Sequence, residues 1–155
     1  MKTVITEKLE ALKLNYTVKP HSQPVYTSKA AARERGVRLS QIVKTMLLMD
    51  RDERMVAAVL PGDKKLDLKK IKKHMGVKDL RFLDRETIEQ RLGLVAGAIA
   101  PIADFFGNIP VLVDPAVFQE DRVDISSGDP RAGLELTREN LRILLKDCNV
   151  MKLTK

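Results

Sequence analysis

No stretch of this chain narrows the possible folds more than RLSQIVKTMLLM, residues 38–49. Written as a strand over 41–49, it sends Ile42, Lys44, Met46 and Leu48 to one face and Val43, Thr45, Leu47 and Met49 to the other. Both faces are mostly apolar, and a strand with one wet side would show polar alternation. The strand must therefore be covered on both sides. Lys44 is the exception in this run. On a solvated face it would be an ordinary surface lysine, since fully buried lysines are rare. Between two covered faces it points into an enclosed space, which is costly unless something polar or anionic meets it. Lys44 is thus a candidate for the floor of a pocket.

The flanking segments supply the covering layers. TEKLEALKLNY places Ile5, Leu9 and Leu12 on one stripe and predicts a helix over 4–14. YTVKP reads as a short strand ended by Pro20. TSKAAARERG reads as a helix with Thr27 or Ser28 as N-cap and Gly36 at its end. After the lysine strand, DRDER turns the chain and MVAAVLPGD returns it, a hairpin closing at Pro61-Gly62. LDLKKIKKHMG is a helix capped by Asp67, with a Leu68, Ile71, Met75 stripe and Gly76 as its stop. LRFLD is a short strand, and Asp84 caps RETIEQRLG, which Gly93 stops. GLVAGAIAPIADFFGN is apolar without helical period. IPVLVD, RVDIS and AGLEL read as strands, and Thr137 caps a last helix packed through Leu141, Leu144 and Leu145. Strands and helices mixed in one short chain predict an α+β domain.

At 155 residues, 44% of them hydrophobic, the chain suits one globular domain spanning 1–155. No apolar run approaches the roughly 20 residues of a membrane helix. The first residues lack a signal-peptide core, and a single cysteine excludes an internal disulfide, so a cytoplasmic location and no membrane partner are expected. The formal net charge of +7 points to an anionic partner, nucleic acid first.

The chemistry available is limited. Two histidines, His21 and His74, and one cysteine, Cys148, show no metal-ligand spacing, so neither a metal nor a cofactor is expected. His74 sits among lysines and reads as surface. Cys148 reads as a small buried hydrophobe. His21, in a loop near Pro24 and Tyr26, is either structural or part of a pocket rim. Two glycine loops stand out. GAIAP, Gly97 to Pro101, could bring backbone close to a ligand. SSGDPRAGLEL, residues 126–136, is either a hairpin loop or a source of backbone N–H groups for an anion. Lys64, Lys65, Lys69, Lys70, Lys72, Lys73, Lys78 and Arg81 form a basic cluster, which is either a solvated face or a phosphate-binding one. Aromatics are 4% of the chain, too few for a base-stacking platform.

Taken in order, IVKTMLLM, VAAVLPGDKKLDLKKI, GLVAGAIAP, IPVLVD and SSGDPRAGLEL resemble the YbaK/ProX family of trans-editing proteins. That family is related to the editing domain inserted in bacterial prolyl-tRNA synthetases. The resemblance spans about residues 20 to 147. It implies a mixed β-barrel or sheet flanked by helices, and hydrolysis of the ester joining a wrong amino acid to tRNA. It carries a catalytic role to Lys44, Gly97, Ser127 and Gly128, with Ser126 an alternative to Ser127 because the register is ambiguous by one. Thr45, Pro101, Glu135, His21 and Tyr26 are expected to contact substrate, and Lys64, Lys65, Lys69, Lys70, Lys72 and Lys73 to contact tRNA. Departures are Ala100 before the loop proline and the DPRAG run after the Ser-Gly pair. The Lys44-Thr45 pair leans toward cysteinyl-tRNA of the proline acceptor over the alanyl form, with prolyl-tRNA synthetase as a partner. A non-catalytic aminoacyl-tRNA-binding module is the rival reading.

Overall fold

The computed structural model describes residues 1–155. Its strands are β1 (Thr17–Pro20), β2 (Val43–Met49), β3 (Met55–Pro61), β4 (Arg81–Phe82), β5 (Val111–Val113), β6 (Arg122–Ser126), β7 (Ala132–Thr137) and β8 (Asn149–Val150). Its helices are α1 (Val4–Ala11), α2 (Ser28–Arg35), α3 (Leu68–Met75), α4 (Arg85–Leu92) and α5 (Arg138–Leu144). The strands form two sheets, one of three strands in the order β1-β7-β6 and one of five in the order β4-β2-β3-β5-β8. An isolated parallel bridge, Ile42 to Asp124, joins them. The fold is therefore mixed α+β, as the sequence predicts, but the two sheets do not close into a barrel.

The five-stranded sheet is the buried one, and its two faces explain the apolar β2. Val43 and Leu47 join Ala57, Val59, Val111 and Val113 in the larger core, facing Val123, Ile125, Leu134 and Leu136 of the other sheet. Leu48 joins Val56, Ala58, Leu60 and Leu112 on the opposite face, where Ile71 of α3 covers them and Met46 packs alongside. β2 and β3 pair antiparallel from Val43↔Pro61 to Met49↔Met55, while β3 pairs parallel with β5.

Helix termini follow their capping residues. Asp67, Asp84, Thr27 and Thr137 each accept a backbone N–H at the N-cap. Gly36, Gly76 and Gly93 end their helices with φ near +65 to +69°. α1 stops earlier than its stripe predicts. Lys13 takes a φ of 58°, Leu14 N–H bonds Leu9 O at 2.9 Å, and Leu14 rather than Leu12 enters the core. β2 also begins two residues late, because Leu39–Gln41 wind into a 3-10 turn. No helix is long and apolar enough to cross a membrane.

Candidate active site

The chain's functional geometry starts from an incomplete sheet edge. β4 pairs only with Leu48 and Met49 of β2, and Leu83 N–H adds a bond to Leu47 O at 2.9 Å. Upstream of that point β2 has no strand partner on this side apart from the single bridge at Ile42. A cavity of about 410 Å³ opens there. α2, α4, the Ala96–Ile99 loop and the end of β6 enclose it. Because the strand edge itself forms one wall, Lys44 and Thr45 both line the cavity although their side chains leave opposite faces of β2.

Three basic residues line the cavity, Arg35, Lys44 and Arg85, and no Asp, Glu, His or Cys does. Lys44 is half-buried and takes part in no ion pair or side-chain hydrogen bond of the chain. Burial pulls its ammonium below the ordinary lysine value, with Asp63 opposing and Lys65 adding to the shift. Thr45 is 9% exposed, and its Oγ1 is buried with no hydrogen-bond partner. A buried hydroxyl is normally satisfied, and that of Thr45, covered in the cavity wall, is left without a partner. Tyr26 and Phe82 are about half exposed at the mouth, and the Arg85 guanidinium lies over the Tyr26 ring at 5.4 Å.

The loops predicted from sequence divide between the cavity and its supports. Gly97 lines the cavity with φ +84°, and a Cβ there would sit 2.7 Å from Tyr26 O. This glycine lets the loop press against the Tyr26 backbone. Pro101, four residues on, is buried behind it and does not line the cavity. Of the two serines, Ser126 reaches the cavity. Its Oγ accepts Gly128 N–H at 3.1 Å. Ser127 is fully buried, and its hydroxyl donates to Ala132 O at 2.6 Å while accepting Asp129 N–H. Gly128 turns this loop at φ +90° against Ile5, also away from the cavity. Ser127 and Gly128 thus shape the loop, and Ser126 is the side chain it presents.

Glu135 and His21 lie elsewhere. Glu135 is held by Lys19 at 2.6 Å and Arg122 at 3.1 Å on the outer face of the three-stranded sheet. These pairs hold its carboxyl below the usual range. His21 continues the β1 ladder by donating its backbone N–H to Arg131 O, and its Nδ1–H donates to Gln23 O at 2.6 Å. Sequence reasoning missed Arg35, Arg85 and Phe82. RERG reads as a solvated last turn, and nothing in its spacing reveals that this end of α2 lies over a sheet.

The basic cluster is placed beside the site. Lys64, Lys65, Lys69 and Lys73 are exposed and in no ion pair, and Lys65 is near enough to influence Lys44. Lys70 differs, since its Nζ donates to Thr154 O at 2.7 Å. A second cavity of about 530 Å³, lined by Glu53, Arg54, His74, Asn108 and their neighbours, contains none of the predicted site residues.

Residues 22–144 match the model of the aminoacyl-tRNA editing domain. The prolyl-tRNA editing protein ProX of Acetoanaerobium sticklandii is 29% identical over 94% of this chain and 90% of its own length. A candidate Cys-tRNA(Pro)/Cys-tRNA(Cys) deacylase, EbsC of Enterococcus faecalis, is 27% identical over 76% of this chain and 71% of its own. A proline–tRNA ligase of Legionella pneumophila is 40% identical over 51% of this chain and 14% of its own. Among solved structures, a hypothetical protein superposes with a TM-score of 0.84 at 27% identity, covering 97% of this chain and 99% of the other. The chain belongs to the aminoacyl-tRNA editing domain family.

Proposed function

We propose that this member of the editing family, acting as a single domain over 1–155, removes cysteine from mischarged proline tRNA. The observation that carries the reading is the composition of the cavity wall: three cations, an unpartnered Thr45 hydroxyl and no Asp, Glu, His or Cys. An aminoacyl ester does not need one. The cysteine thiol attacks its own carbonyl carbon, a C–S bond forms, and the ester C–O bond breaks. The thiol proton passes to the departing ribose oxygen, leaving a cyclic thiolactone and free tRNA.

In this reading Lys44 and Thr45 stabilise the charge that develops on the carbonyl oxygen. Losing one such donor typically costs about 2.7–4 kcal/mol in the barrier. Gly97 and Ser126 define the walls that hold the amino acid. Size alone discriminates weakly, about 1–3 kcal/mol per methylene, so the nucleophilic thiol supplies selectivity that volume cannot. The tRNA body lies along Lys64, Lys65, Lys69 and Lys73. The likeness to proline–tRNA ligases supports prolyl-tRNA synthetase as the partner that lends acceptor-stem recognition.

The test is a panel of proline tRNAs carrying cysteine, serine, alanine or proline, followed for release of free tRNA. Cysteinyl ester is expected to be cleaved fastest, with a thiolactone product, while prolyl ester survives. Equal cysteinyl and serinyl rates would exclude the thiol route. Faster alanyl cleavage would move the protein to an alanine-specific activity with water as nucleophile. Binding without turnover on every member would make it a non-catalytic module.

A further inference from the structure

Arg35 has no role in the chemistry described above, yet its position is unusual. It ends α2, lines the cavity and forms no ion pair. Its Nε is buried without a hydrogen-bond partner. The guanidinium lies flat on Gly133 of β7, where any Cβ would overlap it. Gly133 is the register partner of Ser126, so the fork sits over the rung whose serine faces the cavity. The nearest influential carboxylate, Asp124, is wholly buried and engaged by Lys19 at 3.6 Å. Both Asp124 oxygens are buried without a hydrogen-bond partner, and this carboxylate offsets part of the Arg35 charge, while no acidic residue lines the cavity itself.

Arg35 is half-buried, its Nε has no hydrogen-bond partner and its outer nitrogens bond no group of the chain, so a ligand that met them would satisfy the cation further. A guanidinium presents its donors as a planar fork that fits two oxygens of one oxyanion. We propose that Arg35 forms an oxyanion subsite that binds the phosphate 5′ to the terminal adenosine, fixing the acceptor end while Lys44 and Thr45 address the ester. This rests on the deacylase reading and extends it to how the substrate is positioned. The same fork could hold the carboxylate of a released amino acid, and the test separates the two sources.

The probes are two adenosine analogues carrying cysteine through a stable 3′-amide, one with a 5′-phosphate and one without, plus free cysteine. Binding is measured to the full-length parent protein, to Arg35→Gln and Arg35→Lys, and to Gly133→Ala, which keeps the arginine but displaces its fork. The parent should prefer the phosphorylated analogue by roughly 10- to 100-fold, the range of a charge-assisted contact. Arg35→Gln and Gly133→Ala should erase that preference while leaving the unphosphorylated analogue's affinity unchanged, and Arg35→Lys should restore part of it. Equal weakening of both analogues would make Arg35 only a counter-charge for Asp124 and overturn the proposal. So would a parent without phosphate preference, or loss of free-cysteine binding alone. No binding of either analogue also overturns it, whereas the functional reading is decided separately, by turnover on the mischarged panel. Turnover with an unchanged kcat/KM in a folded Arg35→Gln would sink the subsite and leave the deacylase standing.

Discussion

Lys44 and Thr45 are neighbours that leave β2 in opposite directions, and an unpaired strand edge is what brings both to one cavity. Thr45 keeps a buried hydroxyl without a partner, a condition that typically costs about 1–3 kcal/mol. Thr45→Val, nearly the same shape, should therefore raise stability by about 1 kcal/mol in urea unfolding while slowing deacylation at least tenfold. A variant that loses stability and keeps full activity would mean the hydroxyl is structural. Lys44 gives a pH signature. Burial holds its folded value below the ordinary 10.5, so the unfolded chain binds more protons between those two values. Stability should then rise with pH across that window. Lys44→Met should flatten this rise and melt at or above the parent temperature. At this scale Lys44 and Gly97 were legible, because a lysine in an apolar run and a glycine in an apolar loop both break a local rule, whereas Thr45 entered only through the family resemblance. The choice of Ser126 over Ser127 was not, since a one-residue slip changes which serine faces inward.

Among the elements, the C-terminal tail after β8 is tied to the core by Asp114, together with backbone bonds such as Asp67 N–H to Leu153 O and with the Lys70 bond to Thr154 O. Asp114 Oδ2 accepts Leu153 N–H at 2.8 Å, Thr154 N–H at 3.1 Å and Thr154 Oγ1–H at 3.0 Å, and Oδ1 accepts Ala116 N–H at 2.9 Å. Burial alone would raise its carboxyl, but these bonds hold it below the ordinary 3.8. Its folded value is depressed, so its contribution is present above 3.8 and is lost as pH falls through the folded value. Asp114→Ala should cost about 2–4 kcal/mol and reduce the acid sensitivity of unfolding, while deacylation at neutral pH stays near the parent rate. A change below about 0.5 kcal/mol would show the tail to be held by its other contacts alone. Helices were readable from caps such as Asp67, Asp84 and Thr137, which act locally. The two-residue β8 was not, because it exists through parallel pairing with β5, more than thirty residues away in sequence. The expected barrel likewise depended on how strands from distant segments meet, and they meet at a single bridge between two sheets.

For the molecule as a whole, the proposed course of tRNA along the basic cluster rests on how charge is distributed around the cavity. The loop holding Asp63, Lys64 and Lys65 follows β3 and leads into α3, where Lys69 and Lys73 are exposed, and Asp63 and Lys65 both act on Lys44. If these side chains meet phosphates, log K should fall with log salt at roughly 0.7–0.9 per contact. Lys69→Gln with Lys73→Gln should reduce the slope and weaken all tRNAs alike, whereas Lys70→Gln should act mainly on stability through its lost bond to Thr154 O. An unchanged slope in the double variant would return α3 to a solvated face. The most direct test of the account joins this surface to the chemistry: single-turnover deacylation of cysteinyl proline tRNA by the parent protein and by Lys44→Met, each with its thermal melt. The account predicts release by the parent, a loss of roughly 100- to 1,000-fold in the variant, and a variant at least as stable as the parent. Equal rates from the two folded proteins would contradict it.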